Sequence, residues 1–149
     1  MNLNQDFQEF VELFVAHEVE FLIVGGYALA AHGHPRYTKD LDVWVWIGAE
    51  NASRIITAIE EFGFGELGLT AADFQDPEVM VQLGNEPQRI DILTFASGLN
   101  FSDAYKNRVY IPIGNVQVPF ISVDDLRTNK LATGRPRDIA DVADLPNGE

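Results

Sequence analysis

The chain has no cysteine among its 149 residues. Disulfides and thiolate-bound metals are therefore excluded, and the composition fits a cytoplasmic protein. Cations are also scarce: ten Lys and Arg against 23 Asp and Glu give a net charge of −13. Affinity for nucleic acid comes largely from counterions released by basic side chains, so this surface repels polyanions unless a local basic patch or a basic partner intervenes. Arg127, Lys130, Arg135 and Arg137 form the candidate patch, gathering four of the ten bases. No apolar run approaches the ~20 residues of a membrane span, and the N-terminus MNLNQDFQEF lacks the basic-then-apolar order of a signal peptide. Repeats and low-complexity segments are missing too. What remains is 46% hydrophobic and 11% aromatic, a globular composition that fits a single domain over residues 1–149.

Periodicity supplies the elements. Phe7, Phe10, Val11 and Phe14 recur at helical spacing within residues 5–17, with His17 as the cap of that helix. Phe21–Val24 reads as a short buried strand, Tyr27–His32 as a short helix broken by Gly33 and Pro35, and Asp40–Ile47 as a second strand. A helix over Ala52–Phe62 closes at Gly63, and Thr70–Phe74 supplies a helical turn. Val79–Leu83 and Arg89–Phe95 read as antiparallel strands, and Arg108–Ile113 and Val116–Ile121 flank Gly114-Asn115, a hairpin signal. From about residue 122 the chain is helical, with Ser122 as N-cap, Gly134 as terminator and Pro136 in the next first turn. A mixed sheet of about four to six strands flanked by helices follows, hence α/β or α+β.

Two features work against folding and call for another reason. The first is Gly25-Gly26 between a strand and a helix. A bare backbone at a helix start can hold phosphate, although a tight turn is the commoner reason for such a pair taken alone. Neither GxxxxGK[ST] nor GxGxxG is present. The second is the acids. Asp40 and Asp42 share one strand face with Cα atoms roughly 6–7 Å apart, a spacing at which two carboxylates can converge on a cation such as Mg²⁺. A strand that begins with exposed acids and becomes buried at Val43 explains the pair, Asp40 above all, equally well. Asp91, between Ile90 and Ile92, is a third acid in an apolar strand; it needs Arg89, Arg108 or a shared metal as partner. Lys130 falls seven residues after Val123, on the apolar meridian of its helix, so it snorkels or meets something negative. Asp138 and Asp141, three apart, are read as partners of Arg135 or Arg137. His32 and His34 flank Gly33 near these residues.

Together, GGYALAAHGHPRYTKDLDV, the later strand aspartate and the tail NKLATGRPRDIADVADL resemble the nucleotidyltransferase fold shared with DNA polymerase beta. Within it they look most like the abortive-infection type of toxin and its small relatives. The resemblance covers about residues 20–145. It implies an enzyme that moves an NMP from an NTP to an acceptor hydroxyl. Asp40, Asp42 and Asp91 would be the catalytic, Mg²⁺- or Mn²⁺-binding triad, and Gly25, Gly26, Arg36, Thr38 and Lys130 the nucleotide-binding residues. The acceptor would be a small molecule such as an antibiotic, an RNA or a protein, and an antitoxin-type protein is the implied partner. Many such toxins carry a further helical region, and the acidic surface suits a transfer-RNA acceptor poorly. A non-catalytic nucleotide- or partner-binding module that kept the fold is the alternative, and an acidic antitoxin-like protein masking a basic surface is a third reading.

Overall fold

The computed structural model describes residues 3–33, 38–85 and 88–146. Helix α1 (Gln5–Ala16) starts at Asn4, whose side chain accepts the Phe7 N–H at 2.9 Å, and its buried stripe is Phe7, Phe10, Val11 and Phe14. Strand β1 (Phe21–Val24) runs without a loop into α2 (Gly25–Ala31). Strand β2 (Leu41–Val45) and helix α3 (Ala49–Ile59) follow, then a π-helical stretch over Glu60–Phe64 in which Gly63 leaves helical geometry at φ 105°. Strands β3 (Met80–Leu83) and β4 (Ile90–Leu93), helix α4 (Phe101–Lys106), strands β5 (Val109–Ile113) and β6 (Val116–Phe120), and helices α5 (Val123–Thr133) and α6 (Pro136–Ala143) complete the chain.

The strands form one sheet in the order β3-β4-β2-β1-β6-β5. β1 pairs with β6 and β2 with β4 in parallel, while the other three pairings are antiparallel. Alternation along the central strands then defines two faces. Phe21, Ile23, Val43 and Val45 share one, which α1 covers, with the Phe14 ring 5.4 Å from that of Phe21. Asp42 and Trp44 share the other, where α4 sets Phe101 edge-on to Trp44 at 5.2 Å. The acids therefore lie on the face opposite α1. Among the described residues, no helix is long and apolar enough to cross a membrane.

Most elements fall where the sequence puts them. Helix α2 begins two residues early, so both glycines are its first turn, and α3 begins at Ala49 rather than Ala52. Helix α4 has no counterpart in the sequence reading. It is six residues long, too short for an apolar period to repeat, and its signal is local: the Asn100 side chain accepts the Asp103 N–H at 3.2 Å.

Candidate functional site

The site is built where β1 turns into α2. Gly25 has φ +68°, and a Cβ there would lie 2.1 Å from Asp42 Oδ2. At Gly26 a Cβ would lie 2.7 Å from the Thr38 methyl carbon. The glycines are thus required because the turn packs directly on Asp42 and Thr38. The room that Gly25 leaves is taken by the protein's own carboxylate, so a phosphate approaching that point meets like charge unless a cation stands between them. Gly25→Ala is expected to cost about 1–3 kcal/mol, from left-handed strain plus the clash. Asp42→Ala moves the nearest Asp42 atom from 2.1 to 3.1 Å away. The cost of Gly25→Ala should accordingly fall in that background, and a double-mutant cycle by urea unfolding with no coupling would refute the contact.

Register brings the acids together. Asp42 pairs with Val24 at the end of β1 and, on its other side, with Asp91 of β4, so these two carboxylates stand side by side on one face. Asp40 lies just before β2 rather than within it. Burial, then the nearby Asp91 and Asp40 carboxylates, push the Asp42 pKa from 3.8 to about 7, with Arg89 and Lys130 opposing. Among the described residues Asp42 has no hydrogen-bond or ion-pair partner. Asp91, 6% exposed, takes Arg89 of the partners the sequence allowed, accepting from Nε at 2.7 Å and Nη2 at 3.1 Å. The same Nη2 reaches Asp40 Oδ2 at 3.2 Å, and the Arg89 backbone N–H reaches Asp40 Oδ1 at 3.3 Å. Arg108 lies elsewhere, over the Tyr105 ring at 4.0 Å.

A cleft of about 480 Å³ opens in front, lined by Gly25, Gly26, Thr38, Asp40, Asp42 and Lys130 among others. Six of the eight residues proposed from sequence therefore share one cavity wall, with Asp91 beside Asp42 behind it. Arg36 and His34 lie outside the described residues. Lys130 is buried and does meet something negative: its Nζ donates to Asp138 Oδ1 at 3.2 Å and Asp141 Oδ2 at 3.1 Å. Asp138 also accepts from Thr133 and Arg135, at 2.7 Å each. Burial pushes its carboxyl up, but those bonds and Lys130 outweigh this and hold it below 3.8. The expected pairing with Arg135 thus holds for Asp138, while Lys130 is the partner of both acids. The basic patch is largely spoken for: Arg127 donates to Asp124 at 3.0 Å and to the Pro146 carbonyl. His32 is tied to the Ile121 carbonyl at 2.8 Å, and His17 caps α1 beside Glu61.

Among the described residues no three acidic or imidazole side chains are drawn up as a ready metal cage. The donor set nevertheless fits a divalent cation. Three carboxylates, the oxygen ligands Mg²⁺ prefers, sit at or beside two adjacent strands. Burial, then the neighbouring Asp91 and Asp40, make Asp42 hold its proton to about pH 7, a charge deficit a cation would relieve.

Two solved structures share this architecture. One is a proposed nucleotidyltransferase from Thermotoga maritima (TM1012), with a TM-score of 0.62 and 15% identity over 93% of this chain and 88% of that one. The other is the lincosamide antibiotic adenylyltransferase LnuA in its lincomycin-bound form, with a TM-score of 0.57 and 15% identity over 96% of both chains. At that identity the likeness establishes the fold. Among curated proteins none matches significantly. The sequence itself matches one family over residues 1–145, so this chain belongs to the nucleotidyltransferases of unknown function designated DUF6036.

Proposed function

We propose that the protein is a metal-dependent nucleotidyltransferase that moves an NMP from an NTP to a hydroxyl of a small-molecule acceptor. The observation that carries this reading is the Asp42–Asp91 pair, in register on adjacent strands, with Asp42 lining a cleft beside the Gly25-Gly26 turn that packs against it. Asp40, Asp42 and Asp91 would hold Mg²⁺ or Mn²⁺, which when bound supplies charge neutralisation for the attacking and leaving oxygens. The Gly25-Gly26 turn, with Thr38 and Lys130, would orient the triphosphate. The acceptor oxygen attacks the α-phosphorus, the bond to the bridging α–β oxygen breaks, and pyrophosphate leaves. The hydroxyl proton passes to a carboxylate, for which Asp91 is the candidate. Positioning and electrostatics make up the protein's contribution.

The net charge of −13 disfavours a polyanionic acceptor and supports a small one. The lincosamide adenylyltransferase of the same fold, caught with its antibiotic, is an example of such chemistry. A toxin–antitoxin or defence setting is compatible with the resemblance in the sequence. The decisive assay incubates the protein with each α-labelled NTP, Mg²⁺ or Mn²⁺, and aminoglycoside, lincosamide, RNA and protein acceptors. Label transfer that EDTA abolishes supports the reading; NTP binding without transfer to any acceptor supports the second one. That second reading, a non-catalytic nucleotide-binding module, is favoured by one observation, the Arg89 guanidinium already bonded to Asp40 and Asp91.

A further inference from the structure

The cation already at the acids is part of the chain. Arg89 engages both oxygens of Asp91, through Nε and Nη2, and both oxygens of Asp40, through its backbone N–H and Nη2. The arms it extends to these two acids are unequal. The Asp91 arm is short, 2.7 Å at its closest, and ends on a side chain only 8% exposed. The Asp40 arm is long, 3.2 Å between side chains, and both partners are 23% exposed, so water can take over there. Charge-assisted bonds weaken with length and with hydration. The Asp40 arm is the weaker of the two.

We propose that Arg89 gates the metal site: its guanidinium ties Asp40 to Asp91 in the nucleotide-free protein and must let go of Asp40 before these acids can share a divalent cation. This role rests on the reading of Asp40, Asp42 and Asp91 as metal ligands. A free divalent ion has to compete with a tethered cation, whereas an ion arriving with a nucleotide brings phosphate oxygens that offer the guanidinium a bidentate partner in exchange for Asp40. Metal loading is thereby coupled to nucleotide loading, and the site fills less readily without substrate.

Mn²⁺ binding measured by calorimetry on the nucleotide-free protein tests the gate. Arg89→Gln should bind Mn²⁺ about tenfold tighter than wild type, the factor expected when one charge-assisted hydrogen bond no longer competes. Because Arg89→Gln also strips Asp91 of its partner, Arg89→Lys is the second variant. It keeps the charge, loses the fork, and should tighten binding about threefold. Arg137→Gln removes a cation that lines the cleft in front of Asp40 and Asp42 and is the control for bulk electrostatics, expected to change affinity less than about twofold. A non-hydrolysable NTP should narrow the gap between wild type and Arg89→Gln. Unchanged or weaker Mn²⁺ binding in both Arg89 variants, or an equal gain in Arg137→Gln, overturns the gate alone. Failure of every protein to bind Mn²⁺, with or without the nucleotide, overturns the metal triad as well.

Discussion

Asp42→Asn is expected to lower the proposed nucleotidyl transfer about a thousandfold or more and, at the same time, to make the nucleotide-free protein more stable at pH 8. The two effects share one cause. Asp42 is held in an apolar strand between Asp40 and Asp91 without a hydrogen-bond partner among the described residues, and its pKa lies near 7 rather than 3.8. A folded pKa above the unfolded one means that the native state binds the proton more tightly. Stability is therefore fully present below pH 4, falls as pH rises toward 7, and levels off above it. A shift of this size is worth at most about 4 kcal/mol. Asparagine has nearly the same shape and no charge, and its amide brings a burial cost of its own, about 1–3 kcal/mol. A net gain of about 1–2 kcal/mol at pH 8 is expected, or several degrees in Tm. The gain should vanish near pH 4, where the wild-type carboxyl is protonated. A pH-independent gain would show that crowding, not charge, strains this position, and undiminished transfer would remove Asp42 from the catalytic group.

Asp42 also shows what the sequence could and could not disclose. Its oddity is visible in one dimension, because a carboxylate before Val43-Trp44-Val45-Trp46 is out of pattern with the strand around it. That it faces Asp91 is not visible, since the pairing of β2 with β4 depends on a parallel register 49 positions apart in sequence, and no local rule fixes it. The glycine pair was legible as a special turn but not in its reason. The steric demand on Gly25 comes from the Asp42 side chain, a neighbour through β1–β2 pairing that the sequence does not display. Helices and hairpins with caps written beside them, such as Ser122 with Asp125 or Gly114-Asn115, were read correctly because their determinants are local. Arg89 was named only as one possible partner of Asp91. Its hold on Asp40 as well needs the register of two strands at once.

Lys130 is the remaining residue whose environment differs from what its resemblance implies, and its replacement should cost the most stability. On the helical wheel it sits among apolar positions, and in the fold it is 7% exposed between α5 and α6, donating to Asp138 and Asp141. Lys130→Met leaves those buried carboxylates without their shared cation, a change expected to cost about 3–5 kcal/mol and lower Tm by roughly 10 °C. The loss should be greatest at neutral pH. Asp138 is held below 3.8, so its contribution is present above that value and disappears as pH falls through the folded pKa. Lost transfer in Lys130→Met would by itself be ambiguous, because an unfolded enzyme is also inactive. The triple variant Lys130→Met, Asp138→Asn, Asp141→Asn separates the roles, since neutralising Lys130 together with the buried carboxylates it joins is far cheaper than removing the lysine alone. Arg135, the other cationic partner of Asp138, is exposed enough to stay hydrated. Stability should largely return. If transfer stays absent while the fold and NTP affinity are compared directly, with affinity reduced about tenfold or more, Lys130 contacts the triphosphate as well as the acids. If transfer returns with stability, the lysine only staples α5 to α6, and the cleft holds its nucleotide by other means.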